Sequence, residues 1–202
     1  WQPGVEAALA KAGDPGRAAA LAARFAPTFP PNYRNLYNPE EAARDILRLR
    51  DLDAANPRSV RLARKSLDGD DRLRLKVYSA AGPLALSAVV PALEHFGFEV
   101  LEEIPTALHS RAPGAEGEDE QAIVIHDFTL RLPANVDELA LLPYAEVLEG
   151  AIAAVLDGRA ENDAFNELVL TNQTDPRAIV WLRAWFRYLR QGGSAYGMDT
   201  VV

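Results

Sequence analysis

The chain has 202 residues with 21 basic and 29 acidic side chains, giving a formal net charge of −8. Apolar residues make up 49% and charged residues 25%, which is the balance of an ordinary globular chain rather than a disordered or fibrous one. The absence of cysteine excludes a thiol nucleophile, a thiolate metal site and a structural disulfide. The acidic balance argues against non-specific binding to nucleic acid or to an anionic membrane.

No uninterrupted apolar run reaches the roughly 18–20 residues of a membrane span. The start, Trp1-Gln2-Pro3-Gly4-Val5, has no basic stretch followed by an apolar one, so a secretory leader is not expected and a cytoplasmic location is. The beginning at Trp1 and the uncapped end Met198-Asp199-Thr200-Val201-Val202 are both expected to be cut points within a longer polypeptide.

Residues 1–26 are alanine-rich and read as two short helices separated at Gly13-Asp14-Pro15-Gly16. Phe25 to Pro39 is aromatic and proline-rich and reads as an ordered connector pinned by its rings. Asn38 as N-cap, Pro39 at the first helical position and Glu40-Glu41 in the first turn then open a helix. Its apolar stripe is Ala42, Ala43, Ile46, Leu47 and Leu49. A further short helix is expected from Asn56-Pro57 to Asp68-Gly69.

At Arg72 the period changes from helical to alternating. Leu73, Leu75 and Val77 interleave with Arg72, Arg74, Lys76 and Tyr78, which predicts a half-buried strand. The turn Ala80-Ala81-Gly82-Pro83 leads into a helix carrying Leu84, Leu86, Val89, Val90, Leu93 and Phe96, ended by Gly97 as the C′ residue. Residues 98–104 predict a second strand, residues 106–110 a third after Pro105, and residues 122–130 a fourth with Ile123, Ile125 and Asp127 on one face. Residues 111–121 read as a solvated loop. Asn135, with Glu138 three residues on, predicts a capping box for a helix that Pro143 kinks and Gly158 ends. Two last helices are expected near 160–171 and 176–191. In the second, Ala178, Trp181, Leu182, Trp185, Phe186 and Leu189 recur at helical spacing, and Gly192-Gly193 stops it. This order divides the chain into a helical segment at 1–70, an α+β domain at 71–157 and a helical motif at 158–202.

The run from Leu73 to Val100 resembles the ACT domain: a strand, the tight Gly82-Pro83 turn, Leu84 opening a helix, then Leu93-x-x-x-Gly97-x-x-Val100 entering the next strand. The resemblance implies a ferredoxin-like α/β sandwich with an antiparallel sheet, flanked here by helical segments, in a module that often binds amino acids as regulators. Ala81, Gly82, Pro83 and Leu84 are then the candidate ligand residues, because such a turn offers backbone N–H groups and a helix N-terminus to a carboxylate. The order βαβββα lacks the last strand of a plain ACT module after Gly158, so that strand is expected to come from elsewhere.

Longer strings extend the likeness. Phe29-Pro-Pro-Asn-Tyr33-Arg34, Ile125-His126-Asp127-Phe128, Gly158-Arg-Ala-Glu161-Asn162-Asp163-Ala-Phe165-Asn166-Glu-Leu168-Val169-Leu170 and Leu182-Arg183-Ala184-Trp185-Phe186-Arg187-Tyr188-Leu189-Arg190-Gln191 stand in that order. Together they resemble the region before the catalytic domain of the large bacterial NAD-specific glutamate dehydrogenases. The resemblance implies a parent enzyme that turns L-glutamate, NAD and water into 2-oxoglutarate, ammonia and NADH. It places catalysis and NAD binding outside these residues, so no catalytic residue, no metal and no cofactor is assigned to this segment. The implied partners are the rest of the polypeptide, other subunits of a homo-oligomer and an amino-acid effector. Two roles remain open, a regulatory and assembly segment or a purely structural spacer.

The remaining candidates have plain alternatives. No Gly-x-Gly-x-x-Gly or P-loop motif occurs, and Gly192-Gly193 reads as a helix end rather than a phosphate loop. His126-Asp127 and Glu102-Glu103 are neighbours on strands, so their side chains diverge and make poor metal or acid–base pairs. Glu161, Asn162, Asp163 and Asn166 read either as a contact to a neighbouring domain or as a helix cap with buried hydrogen bonds. Arg183, Arg187 and Arg190 form a basic stripe suited to intramolecular or interdomain ion pairs. The aromatic stripe is either core or a docking surface.

Overall fold

The computed structural model describes residues 1–13, 15–63, 72–109, 122–193 and 195–201. Four strands, β1 (Arg58–Ala63), β2 (Arg72–Ser79), β3 (Glu99–His109) and β4 (Ala122–Arg131), form one antiparallel sheet in the spatial order β1-β2-β4-β3. Helix α5 (Leu86–His95) connects β2 to β3, and α7 (Ala145–Leu156) follows β4. The expected ferredoxin-like α+β fold is therefore present.

The strand order resolves the expected gap. Residues 58–63 are strand β1, not the helix expected after Pro57, and they supply the strand missing after Gly158. Moving the last strand of a βαββαβ module to its front gives ββαββα and leaves the spatial order of strands unchanged. Arg58-Ser-Val-Arg-Leu-Ala is too short for periodicity to separate strand from helix, and pairing with β2 decides it. The expected helix end at Asp68-Gly69 and the expected loop at 111–121 lie outside the described residues.

Two other strand expectations change. The strands expected on either side of Pro105 are one strand, β3, because β3 is an edge strand where a residue without an N–H is tolerated. Strand β2 is buried on both faces from Leu73 to Ser79 rather than half-buried. Its alternating charged residues, Arg74 and Lys76, are themselves buried, and Arg74 Nη1 donates to Thr129 Oγ1 at 2.7 Å.

The chain divides into two compact units. The first comprises residues 1–59, 77–83 and 104–127. Here α1 (Gln2–Lys11), α2 (Ala18–Phe25), α3 (Pro31–Leu36) and α4 (Pro39–Arg50) bury Val5, Leu9, Leu21, Phe25, Phe29, Tyr33, Ile46 and Leu49 with Tyr78, Leu108 and Ile125. Asn38 caps α4 as expected, its Oδ1 accepting from Glu41 N at 2.9 Å. The connector is ordered, folded into a 3-10 turn at Ala26–Thr28 and into α3. Its rings form a ladder: Trp1 stands edge-on to Phe29 at 5.6 Å, and Phe29–Tyr33 and Tyr33–Tyr37 follow at 4.5 Å each. Each such pair adds about 0.5–1.5 kcal/mol beyond its buried area.

The second unit comprises residues 60–76, 84–103 and 128–202. Its core gathers Leu75, Val89, Leu93, Phe96, Phe128, Leu130, Leu148, Ile152, Phe165 and Ile179. Helix α5 starts at Leu86, two residues later than expected, with Ala85 as N-cap. It ends at Gly97, whose φ of +90° is open to glycine without strain and lets Gly97 N reach Glu94 O and Phe98 N reach Leu93 O.

After β4, a short helix α6 (Glu138–Leu141) is capped by Asp137, not by the expected Asn135, with Asp137 Oδ1 accepting from Leu139 N. Pro143 lies in a 3-10 turn at Leu142–Tyr144, and α7 resumes the path. The run Leu139–Leu156 is apolar enough in composition to cross a membrane. It is nevertheless broken at this turn, its Leu148 and Ile152 are fully buried, and Glu149 Oε1 accepts the β1 backbone N–H of Leu62 at 2.8 Å. The helix expected at 160–171 is shortened to a 3-10 turn at Ala164–Asn166 and α8 (Glu167–Thr171), because Asp163 caps the turn through Phe165 N. Helices α9 (Pro176–Gln191) and α10 (Met198–Val201) complete the unit.

Candidate functional site

The turn after β2 is the first candidate. Ala81 and Pro83 are exposed, Gly82 and Leu84 half-buried, and Gly82 has a φ of +83°, which only glycine adopts freely. The first helical residues, Leu86, Ser87 and Ala88, are exposed, and no side chain caps α5. Two residues before the turn, Ser79 is fully buried and its Oγ finds no hydrogen-bond partner among the described residues. A buried hydroxyl of this kind calls for a water or a ligand atom.

The second candidate is the polar cluster of the C-terminal helices. Arg183 sits on the inner face of α9 and is 5% exposed. Its Nε lies 2.8 Å from Asp163 Oδ2 and its Nη2 lies 3.0 Å from Asp163 Oδ1, a fork-to-fork pair. Nη2 also donates to Asn166 Oδ1 at 2.7 Å and to Glu161 O at 3.2 Å. Asn166 Nδ2 returns a bond to Glu161 O at 3.0 Å. Arg187 pairs with the Glu161 carboxylate at the surface, and this hydrogen bond raises its pKa further. Asn162 Oδ1 lies 2.9 Å from His95 Nδ1. The cluster thus joins five of the candidate residues, Glu161, Asp163, Asn166, Arg183 and Arg187, through bonds made inside one compact unit, while Asn162 reaches His95 instead.

This inward arginine sets the orientation of the whole helix. With Ile179 and Arg183 buried and Phe186 edge-on to Phe165 at 5.6 Å, the opposite face turns outward. Trp181, Trp185 and Tyr188 are 69%, 63% and 69% exposed, and Val180, Leu182 and Leu189 are exposed beside them. Most of the stripe expected to be core or docking surface is therefore on the outside, with only Phe186 reaching inward among its large members.

A third group was missed in the sequence. Asp45 is fully buried and accepts from Tyr33 Oη at 2.5 Å and Tyr78 Oη at 2.7 Å. Tyr37 Oη donates to Asp127, which lies with Ile123 and Ile125 on the face expected for it. Burial, and secondarily Asp45, holds the Tyr33 hydroxyl far above the ordinary tyrosine range. The available signal was spacing: Ala42, Asp45, Ile46 and Leu49 follow the i, i+3, i+4, i+7 pattern, so an acid stands inside the apolar stripe.

A dinucleotide pyrophosphate takes a glycine turn opening a helix N-terminus. Gly192 and Gly193 instead follow the C-terminus of α9, where Gly192 N is spent on Tyr188 O at 3.0 Å.

Comparison with known proteins completes the picture. Family models match in succession along the chain: glutamate dehydrogenase helical motif 2 at residues 8–52, the glutamate dehydrogenase ACT3 domain at 57–141 and glutamate dehydrogenase helical motif 3 at 160–202. Relatives named NAD-specific glutamate dehydrogenase include one from Pseudomonas aeruginosa, 36% identical over 84% of this chain and 10% of its own length. Another from Mycobacterium tuberculosis is 30% identical over 100% of this chain and 12% of its own length. The chain belongs to the large NAD-specific glutamate dehydrogenases.

Within that family it spans about a tenth of the length of the curated relatives it matches. The matched ACT3 interval contains all four strands, β1 included, which agrees with the strand's place at the front of the module. The polar cluster and the outward aromatic face both belong to the helical motif 3 interval of this glutamate dehydrogenase segment.

Proposed function

We propose that this chain is a non-catalytic regulatory and assembly segment of a glutamate dehydrogenase polypeptide. The whole polypeptide would convert L-glutamate, NAD and water into 2-oxoglutarate, ammonia and NADH in the cytoplasm, as a homo-oligomer, with the catalytic and NAD-binding residues outside this segment. The observation that carries the reading is the succession of helical motif 2, ACT3 and helical motif 3 along the chain. An amino-acid effector is proposed at Ala81–Leu84, supported by the uncapped start of α5 and the buried, unpartnered Ser79 hydroxyl two residues before the turn.

A panel of the twenty amino acids in a thermal-shift assay tests the effector. A ligand at 100 times its dissociation constant stabilises by about 2.7 kcal/mol, and Ser79→Ala would diminish the shift. No shift with any amino acid favours the second reading, a structural spacer, which draws its own support from the inward-turned polar cluster. Glutamate-dependent NADH formation by the 202-residue chain alone would overturn both.

A further inference from the structure

Strand β2 ends in Tyr78 and Ser79, two fully buried neighbours whose side chains leave opposite faces of the strand. The Ser79 hydroxyl stands on the face of Leu75 and Val77 and finds no hydrogen-bond partner among the described residues. The Tyr78 hydroxyl, on the other face, donates to Asp45 Oδ1 at 2.7 Å. The next residue, Ala80, opens the turn to Pro83, and its N–H is fixed to Pro57 O in the segment that follows α4. Residues 77–83 fall in one compact unit with the helices of residues 1–59, whereas β2 up to Lys76 falls in the other.

Asp45 lies in the middle of α4 and is fully buried. Its other oxygen accepts from Tyr33 Oη at 2.5 Å, so Tyr33 ties the same carboxylate to α3 rather than to the strand. A buried carboxylate loses heavily when a donor leaves, so the end of β2 cannot shift without α4 following or a charge-assisted bond breaking.

We propose that Tyr78 is a positioning residue that couples the Ala80–Pro83 turn to helix α4, so that a change in the turn's backbone is felt at Asp45. A ligand held by the Ser79 hydroxyl or by the N–H groups of the turn acts on the same backbone that aims the phenol. As a regulatory device the coupling rests on the reading that an amino-acid effector occupies the turn. The coupling itself needs no ligand.

Amide exchange in α4, read by mass spectrometry on the 202-residue chain, tests this in two arms. In the first, Gly82→Ala disturbs the turn alone: its φ of +83° strains any side chain, and an added Cβ meets no atom within 4 Å. Exchange over Ala43–Leu49 should rise about fivefold, the equivalent of about 1 kcal/mol. The rise should persist on a Tyr33→Phe background and be lost on Tyr78→Phe. Each background removes one phenol from Asp45, so a purely structural role would make the two behave alike. Equal behaviour of the two backgrounds, or no rise in the unsubstituted background, would overturn the coupling. In the second arm each of the twenty amino acids is added. One that raises Tm should slow α4 exchange in the unsubstituted chain and in Tyr33→Phe. In Tyr78→Phe it should still raise Tm and leave α4 exchange unchanged. The same α4 response in all three chains, or a response in none, overturns the regulatory role of Tyr78. If no amino acid raises Tm, the effector reading fails, and the first arm still decides the coupling.

Discussion

Asp45 is the residue whose removal tests the packing argument most sharply. It is fully buried on α4 and accepts the hydroxyls of Tyr33 and Tyr78. Asp45→Ala strands two buried phenols, each at a cost of about 1–3 kcal/mol, so the expected loss is about 2–6 kcal/mol. Domains of this kind have about 5–15 kcal/mol in total, so the variant sits close to unfolding under mild conditions. Tyr33→Phe removes one charge-assisted bond and leaves the carboxylate the other, with an expected loss of about 1.5–3 kcal/mol. Replacing all three groups together, as Asp45→Leu with Tyr33→Phe and Tyr78→Phe, removes the desolvated charge along with its partners. That triple variant should recover much of the loss, because an all-apolar substitute for a buried ionic group is often neutral or better. Urea unfolding followed by near- and far-ultraviolet circular dichroism measures each value. A loss below about 0.5 kcal/mol for Asp45→Ala, the level of an ordinary surface substitution, would refute the reasoning. So would a triple variant no more stable than Asp45→Ala.

Three further outcomes follow from the same geometry. Arg183→Met takes the guanidinium away from the Asp163 carboxylate, which keeps the Phe165 N–H, and from the Asn166 carbonyl, and should cost about 3–5 kcal/mol in urea unfolding, with Arg183→Lys retaining part of it. The Tyr33 hydroxyl stays protonated in the fold while an unfolded tyrosine ionises near pH 10, so the unfolded state binds fewer protons above that pH. Stability should therefore be unaffected by this group below about pH 10 and fall above it by up to about 1.4 kcal/mol per pH unit, a slope that Tyr33→Phe removes in pH-dependent melts. Gly97→Ala forces a side chain onto a φ of +90° and sets its Cβ 3.2 Å from Glu167 Cγ, so a loss of at least about 1 kcal/mol is expected by thermal or urea unfolding.

The elements that sequence resolved are those whose signals are local. Asn38 with Pro39 and Glu41 fixed the start of α4, and Gly97 fixed the end of α5, because capping acts within one turn. Strand β1 was misread because six residues carry too little pattern, and only pairing with β2 makes them a strand. Pro105 looked like a boundary because a proline's tolerance depends on whether the strand lies at an edge, a property of the whole sheet. Arg74 and Lys76 looked solvent-facing because alternation shows which residues share a face and not whether that face is covered. The polar cluster was legible as a set, since Glu161, Asn162, Asp163 and Asn166 are close in sequence, whereas the inward turn of Arg183 was not. Helical periodicity in α9 shows that the aromatic residues share a face but not whether that face turns inward, which left core and docking surface both open; Ile179 and Arg183 are the buried residues.

The placement of β1 at the front of the module fixes how the chain enters the sheet. Only residues 51–57 separate the end of α4 from β1, and they are tied into a closed turn in which Asp53 Oδ1 accepts from Ala55 N and Asn56 N and Asp53 N donates to Asn56 O. Pro57 O is in turn held by Ala80 N at 2.8 Å. These residues therefore carry their own hydrogen bonds instead of forming an open linker. Strand β1, like β3 at the other edge, has a ladder on one side only, and the Glu149 carboxylate accepting Leu62 N adds a side-chain bond to it. Permuting the module makes its first strand an edge strand that enters the sheet from a hydrogen-bonded turn.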